Sequence, residues 1–244
     1  MQIFKDKKAL QKKIFKIKNL SFVPTMGSLH KGHERLIKIA RKRFKKVIVS
    51  IYVNPKQFNS REDFRTYPRN VRKDINILKR LKVDYLYMPN YKDIFHFKPK
   101  NKIFLHSFSK KLCGKTRKGH FKGVLNVINR FLDIIKPKYI LLGKKDFQQL
   151  FLVKKHIEKN KIPTRVISCE TIRNKNGIAF SSRNNNLKKE ELTRLAKIIN
   201  KIRKNKKSMN KLKILKILNE MTVKKVDYIE FLNLNNLKAS VNKK

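Results

Sequence analysis

Apolar positions along this chain switch between a helical spacing and continuous or alternating runs, and the switches predict an ordered series of elements. Leu20-Ser21-Phe22-Val23 is apolar enough for a short buried strand. Leu36, Ile37, Ile39, Ala40 and Phe44 then mark one face of a helix over Glu34 to Phe44. Val47 to Val53 is a near-continuous β-branched run, the pattern of a strand buried on both faces. Residues 59–67 read as a polar loop. Val71, Ile75, Leu78 and Leu81 mark the next helix, and Asp84 to Met88 a third strand closed by Pro89-Asn90. Residues 90–110 are poorly patterned, with Ile103-Phe104-Leu105 a candidate strand. Val124, Val127, Ile128, Phe131, Leu132 and Ile135 form a helical stripe that Pro137 stops. A strand over Lys138 to Leu142, a helix over Phe147 to Lys159 and a strand over Arg165 to Cys169 complete the set. The first nineteen residues alternate lysine with apolar positions and read as an amphipathic first helix. Strands alternating with helices of these lengths predict an α/β fold, a Rossmann-like doubly wound parallel sheet. Such sheets bind ligands at the carboxyl ends of their strands.

The pattern changes at residues 170–184. Thr171-Ile172-Arg173, a turn through Asn176-Gly177, and Ile178-Ala179-Phe180 read as strand, turn and strand. A domain boundary placed here gives a larger domain over 1–172 and a small α+β lid domain over 173–244. The lid would hold helices near 188–205 and 209–220, a short strand at Asp227 to Phe231, and a Lys/Asn-rich tail expected to fray.

Composition adds limits. With 244 residues the chain can bury a sizeable core. No apolar run is long enough to span a bilayer, and the N-terminus lacks the apolar stretch of a secretion signal. Cys113 and Cys169 are too few and too far apart for a disulfide framework or a zinc site, which fits a reducing cytoplasm. The 64 basic and 16 acidic residues give a net charge of +48. Such a charge usually points to nucleic acid. Here the lysines are spread along the whole chain, and Asn, Ile and Phe are also abundant. A/T-rich codons explain that bias without a specific nucleic-acid partner, and anionic substrates would be attracted in either case.

The densest candidate chemistry is Pro24-Thr25-Met26-Gly27-Ser28-Leu29-His30-Lys31-Gly32-His33, a turn between a strand and a helix. Its glycines allow a sharp turn and close approach of a ligand, and the following helix directs free N–H groups and its positive dipole end at the turn. His30 and His33 can share one face and donate to charge on a bound phosphate. One histidine capping and the other packing is the plainer alternative. The chain has only seven glycines, Gly27, Gly32, Gly114, Gly119, Gly123, Gly143 and Gly177, and all fall in segments singled out on other grounds.

Five segments, in order, resemble the pantoate–β-alanine ligase (pantothenate synthetase) family of the nucleotidyltransferase superfamily. They are PTMGSLHKGH, Val53-Asn54-Pro55-Lys56-Gln57-Phe58, the stretch from Cys113 to Val124, Gly143-Lys144-Lys145-Asp146-Phe147-Gln148-Gln149-Leu150, and Ile172 with Phe180-Ser181-Ser182-Arg183-Asn184. The resemblance implies ATP contacts from Met26 through His33, from Gly143, Lys144, Lys145 and Asp146, and from Ile172, Phe180, Ser181, Ser182 and Arg183. It assigns Gln57 and Gln149 to pantoate, with β-alanine close to Gln57. His33, His30, Lys145 and Arg183 are the implied catalytic set. Asn54, Asp74, Arg117 and His120 are weaker candidates. Asp74 is either an acidic site position near Mg²⁺ or an ordinary helix-surface carboxylate. The chain departs from the family at Lys118, usually proline, at Lys122, often arginine, and at Lys144, usually glutamate. Relatives also continue beyond the segment resembling Val226 to Glu230, so the implied lid is shortened and ends at Lys243-Lys244.

The implied reaction joins pantoate to β-alanine through a pantoyl adenylate, with ATP as its Mg²⁺ complex and release of pyrophosphate and AMP. It needs no dedicated metal site and no protein nucleophile, and the sequence offers no catalytic triad. The implied partners are these small molecules and a second copy of the chain in a homodimer, with no membrane. Another nucleotidyltransferase and a basic nucleic-acid module are the rival readings. Gln57 and Gln149 favour the first reading over the former, and the aromatic residues do not alternate with the basic ones in any recognisable RNA-binding motif, which disfavours the latter.

Overall fold

The computed structural model describes residues 1–234 and 236–240. Its sheet holds six strands: β1 (Gln2–Phe4), β2 (Leu20–Thr25), β3 (Lys46–Ile51), β4 (Tyr85–Tyr87), β5 (Tyr139–Gly143) and β6 (Arg165–Cys169). All pairings are parallel, in the order β1-β4-β3-β2-β5-β6. The helices are α1 (Lys7–Ile14), α2 (Lys31–Arg43), α3 (Arg61–Thr66), α4 (Val71–Arg80), α5 (Tyr91–Phe95), α6 (Cys113–Thr116), α7 (His120–Ile135), α8 (Phe147–Lys159), α9 (Lys189–Lys204) and α10 (Lys211–Glu220).

Alternation along the strands builds two cores. Phe22, Ile48, Tyr87 and Ile140 face one way, against Leu10 and Ile14 of α1 and the apolar residues of α7 and α8. Val23, Val47, Val49, Leu86 and Leu141 face the other, against Ile37 and Ala40 of α2 and Ile77 and Leu78 of α4. The sheet is covered on both faces, as the apolar runs require. α7 carries the largest share. Phe131 alone stacks edge-on against Phe22, Tyr52 and Tyr87, and truncating it to alanine would cost about 3–5 kcal/mol. A third, small cluster of Ile198, Met209 and Ile217 holds α9 to α10.

The strand order positions the site. β2 pairs with β3 along all six residues, but with β5 only at Ser21 and Phe22. Pro24 has no N–H with which to extend the β2–β5 ladder. The two central strands therefore part at their carboxyl ends, where the chain order reverses and a doubly wound sheet takes its ligands.

Several sequence expectations change. The N-terminus is not one helix. Asp6 caps α1 by accepting from Ala9 N–H at 2.7 Å, and Gln2–Phe4 is left free to pair with β4. Residues 59–67 contain α3, capped by the Ser60 hydroxyl on Asp63 N–H. The expected strand at 103–105 does not form, because Phe104 N–H donates to buried His156 Nδ1 at 3.2 Å. β3 ends at Ile51, and α7 begins at His120 behind left-handed Gly119. The 171–180 hairpin forms as a single bridge, Arg173 to Ala179. Its turn is set by the Asn174 side chain, which accepts from Asn176 and Ile178 N–H. The expected strand at 227–231 is also not formed; Tyr228 there reaches Cys113 Sγ at 2.7 Å, across the chain rather than along a strand. Beyond residue 172 the regular structure of the described chain is helical, a short 3₁₀ turn over Ser182–Asn186 followed by α9 and α10, with irregular segments between and after them and two isolated bridges. The end of the expected frayed tail, including Lys243-Lys244, lies outside the described residues.

Candidate active site

A cavity of about 420 Å³ occupies the parting of β2 and β5. Its floor is Pro24, Thr25, Met26, Leu141, Leu142 and Gly143 at the strand ends. One wall is the α2 N-terminus with His30 and His33. Opposite lie Tyr52 and Gln57 and the α7 residues Val124, Val127, Ile128 and Phe131, and over it comes the segment from Glu170 to Arg183.

The β2–α2 turn is built from within. Thr25 Oγ1 donates to Ser50 C=O at 2.6 Å and accepts from Gly27 N–H at 3.1 Å. Gly27 has φ +78°, and a Cβ there would lie 3.0 Å from Asp74 Oδ2. Only glycine fits both the angle and the space. Asp74 accepts from Ser28 N–H at 2.8 Å and Leu29 N–H at 2.7 Å. It is buried in α4 against the turn rather than exposed on the helix surface. Burial pushes its pKa up, opposed by the two N–H bonds, which favour the carboxylate. Both oxygens are thus occupied by the backbone of the turn.

The two histidines form a reciprocal cap on α2. His30 Nδ1 accepts from Gly32 N–H at 3.0 Å, and His33 Nδ1 accepts from His30 N–H at 3.3 Å. Capping and presentation to the cavity therefore belong to the same residues. A ring nitrogen that accepts cannot carry the proton, so in both neutral rings the proton sits on Nε2. Neither Nε2 has a hydrogen-bond partner among the described residues. Burial, and then neighbouring Lys145, lower His30 to about 4. Burial, His30 and Lys145 lower His33 to about 3. At neutral pH the cavity meets two uncharged N–H donors, their rings 4.0 Å apart between centroids.

The loop that follows β3 is fixed against the start of α7. Asn54 Nδ2 donates to Gln57 Oε1 at 3.2 Å and to Gly123 C=O at 3.1 Å. A Cβ on Gly123 would lie 2.0 Å from Lys56 C=O, so α7 approaches this loop as only glycine allows. Arg117 donates to His120 Nε2 at 3.2 Å, which leaves the His120 proton on Nδ1, donated to Gln57 C=O at 2.7 Å. Burial holds His120 down at about 4 and also lowers Arg117.

On the β5 side, Lys145 lines the cavity and pairs with Asp146 at 2.8 Å. Lys144 turns away to Glu170 and does not line the cavity. From the last segment, Ser182 Oγ donates to Ser28 C=O at 3.1 Å, which fastens it to the β2–α2 turn. Among the described residues no three His, Cys, Asp or Glu side chains converge as a metal cage. Among them, too, no helix is long and apolar enough to cross a membrane.

This geometry has known counterparts. The pantoate-beta-alanine ligase family profile matches residues 2–244. The chain belongs to the pantoate–β-alanine ligase family. A pantothenate synthetase of Clostridium botulinum (strain ATCC 19397 / Type A) is 44% identical over 199 residues, covering 81% of this chain and 70% of that protein. A solved pantoate-beta-alanine ligase of Francisella tularensis, complexed with beta-gamma ATP and beta-alanine, has a TM-score of 0.88 at 38% identity. The match covers 96% of this chain and 90% of that one. A solved pantothenate synthetase of Thermus thermophilus matches with TM-score 0.88 at 28% identity, over 98% of this chain and 90% of that one. The protein is a ligase of pantothenate biosynthesis that joins pantoate to β-alanine.

Within this pantoate–β-alanine ligase, the cavity gathers Met26, His30, Gly32, His33, Gly143, Lys145, Asp146, Ile172, Phe180, Ser181, Ser182 and Arg183, together with Gln57, Gln149, Arg117 and His120. Gly27, Ser28, Leu29, Lys31, Lys144, Asn54 and Asp74 stand outside its lining. Leu29 is a core residue, and Gly27, Asn54 and Asp74 support the turn and loop from behind. Sequence reasoning missed Tyr52, Tyr67 and the α7 wall. The stripe of Val127, Ile128 and Phe131 was readable as core, and its lining of a cavity depends on where β2 and β5 part.

Proposed function

We propose that the ligation runs in two steps in this cavity. A pantoate carboxylate oxygen attacks the α-phosphorus of ATP, and the bond to pyrophosphate breaks. The β-alanine amine then attacks the acyl carbon of the pantoyl adenylate, AMP leaves with the bonding electron pair, and the amine gives up its proton to solvent. The His30 and His33 Nε2–H groups donate to the phosphate oxygens on which charge grows. Fixed neutral donors stabilise that charge without reorganising at the moment of reaction. The α2 N-terminus adds its dipole, and Lys145 and Arg183 add cationic charge. Gln57 and Gln149 orient the pantoate oxygens, while Val127, Ile128 and Phe131 offer apolar surface to its methyl groups.

The observation that carries this reading is the tautomer of the histidine pair, fixed by backbone N–H groups on both Nδ1 atoms with both rings on the cavity. The Francisella tularensis structure supports the same ligand classes, since its complex holds beta-gamma ATP and beta-alanine. ATP enters as its magnesium complex, with the ion carried by the phosphates. Residues 173–244 act as a lid on the domain formed by 1–172, through Ser181, Ser182 and Arg183. Assembly as a homodimer rests on the family resemblance, and placement in the cytoplasm on two cysteines that stay unbonded.

The test is AMP formation with each substrate omitted in turn. AMP should need ATP, pantoate and β-alanine together at steady state. AMP released at an undiminished rate without pantoate would contradict the reading.

A further inference from the structure

Helix α3 is short and surrounded by charge, yet it is built as a platform. Arg69 Nη2 donates to Phe64 C=O at 2.7 Å, and its Nη1 to Arg65 and Tyr67 C=O, closing the helix end. Phe64 and Tyr67 pack edge-on against Phe58 at 5.4 and 5.6 Å, and Phe58 directly follows Gln57. From this platform Asp63 reaches the lid segment. Both carboxylate oxygens bond a single nitrogen of Arg183, Nη2, at 3.0 and 2.9 Å. The guanidinium also lies over the Tyr67 ring, 5.8 Å from its centroid. The Tyr67 hydroxyl sits beside Ser182, which is itself fastened to Ser28.

Arg183 lines the cavity and Asp63 does not. Arginine has five N–H donors in a planar fork, and Asp63 engages only one corner. Nε and Nη1 make no hydrogen bond among the described residues. We propose that Asp63 is a positioning residue for adenylate formation: it grips Arg183 by Nη2 and turns the remaining edge of the guanidinium towards the ATP phosphates. This rests on the proposed contact of Arg183 with those phosphates. The pair is nearly half exposed, 46% and 38%, so solvent screening leaves it little weight in overall stability. Its effect lies in orientation, where a small misplacement of a charged group is costly to the rate.

The experiment compares wild type, Asp63→Asn, Asp63→Glu, Arg183→Ala and the double variant Asp63→Asn/Arg183→Ala. Rapid quench reads pyrophosphate formed from ATP and pantoate in a single turnover, and thermal melting reads stability. Asp63→Asn should slow the first step about ten- to a hundredfold, lowering kcat more than it raises the KM for ATP. Its melting temperature should stay within about 2 °C of wild type. Asp63→Glu should recover part of the rate. The double variant should be no slower than Arg183→Ala alone, because Asp63 acts only through that arginine. A slow Arg183→Ala beside an Asp63→Asn of wild-type rate overturns the positioning role and spares the phosphate contact. Multiplying effects in the double variant, or faster turnover in Asp63→Asn, also overturn it; the latter means that Asp63 withholds the arginine. Wild-type rate in Arg183→Ala removes the phosphate contact itself, and the positioning role with it.

Discussion

The backbone N–H of His30 donates to Nδ1 of His33 at 3.3 Å, so the cap of α2 also sets which edge of each imidazole meets the ligand. The third helical position normally carries Glu or Gln in such a reciprocal cap. Here an imidazole takes that place, and its Nε2–H is left over for chemistry. If that donor serves the α-phosphate, His33→Ala should lower kcat by roughly 10²–10³, or about 2.7–4 kcal/mol, as for loss of one positioned donor. ATP binding measured by calorimetry should change much less. A folded variant with near-normal kcat would contradict the role.

Asp74 is expected to matter for the shape of the turn. Asp74→Ala leaves the Ser28 and Leu29 N–H groups without partners beside a buried gap. A loss of about 1–3 kcal/mol should follow in urea unfolding, together with weaker ATP binding. Stability and binding both unchanged would mean that the turn holds its shape without the carboxylate.

Gly123 tests the substrate loop separately from the phosphate site. Gly123→Ala drives a methyl into Lys56 C=O, 2.0 Å away in the present geometry. The loop carrying Asn54 and Gln57 must shift. The KM for pantoate should rise about tenfold or more, while ATP binding stays close to wild type. Equal loss of both would show that the damage spreads through α7.

The buried histidines set an acid limit on stability. His156 is fully buried, donates from Nε2 to Asn129 Oδ1 at 3.0 Å and accepts from Phe104 N–H; burial lowers it from 6.5 to about 4. Between those values the unfolded chain binds the proton and the folded chain does not, so stability rises with pH across that window. The contribution is complete above about pH 6.5 and is lost as pH falls, with a slope of up to about 1.4 kcal/mol per pH unit for each such group. His30, His33 and His120 add in the same direction. Urea unfolding from pH 7 to 4.5 should show the decline, and a flat profile would contradict it.

Much of this was legible in the residues. Phe147–Lys159 and Arg165–Cys169 form with the bounds the pattern implies, because a helical stripe and a β-branched run leave little ambiguity at that length. The histidine turn announced itself through its glycines. α3 was hidden because Phe64 is its one apolar side chain, although Ser60 with Glu62 and Asp63 is a legible helix start. Asp74 stayed open between a site position and a surface carboxylate, because its partners are backbone N–H groups 45 and 46 residues away. The strand expected at 103–105 failed for a similar reason, since a buried histidine from α8 takes the N–H a ladder would need. Long-range partners of this kind leave no periodic trace.

The central claim is that pantoate is activated on the phosphate before the amine arrives, and that the closed cavity keeps water from the adenylate. Its most direct test is a rapid-quench count of pyrophosphate from ATP and pantoate, with and without β-alanine. Without the amine, about one pyrophosphate per active site should form and the reaction should then stall with the adenylate retained; adding β-alanine should release AMP and pantothenate together. Continuous pyrophosphate release without the amine would show an unguarded intermediate, and no pyrophosphate until the amine is added would show that no adenylate forms ahead of it.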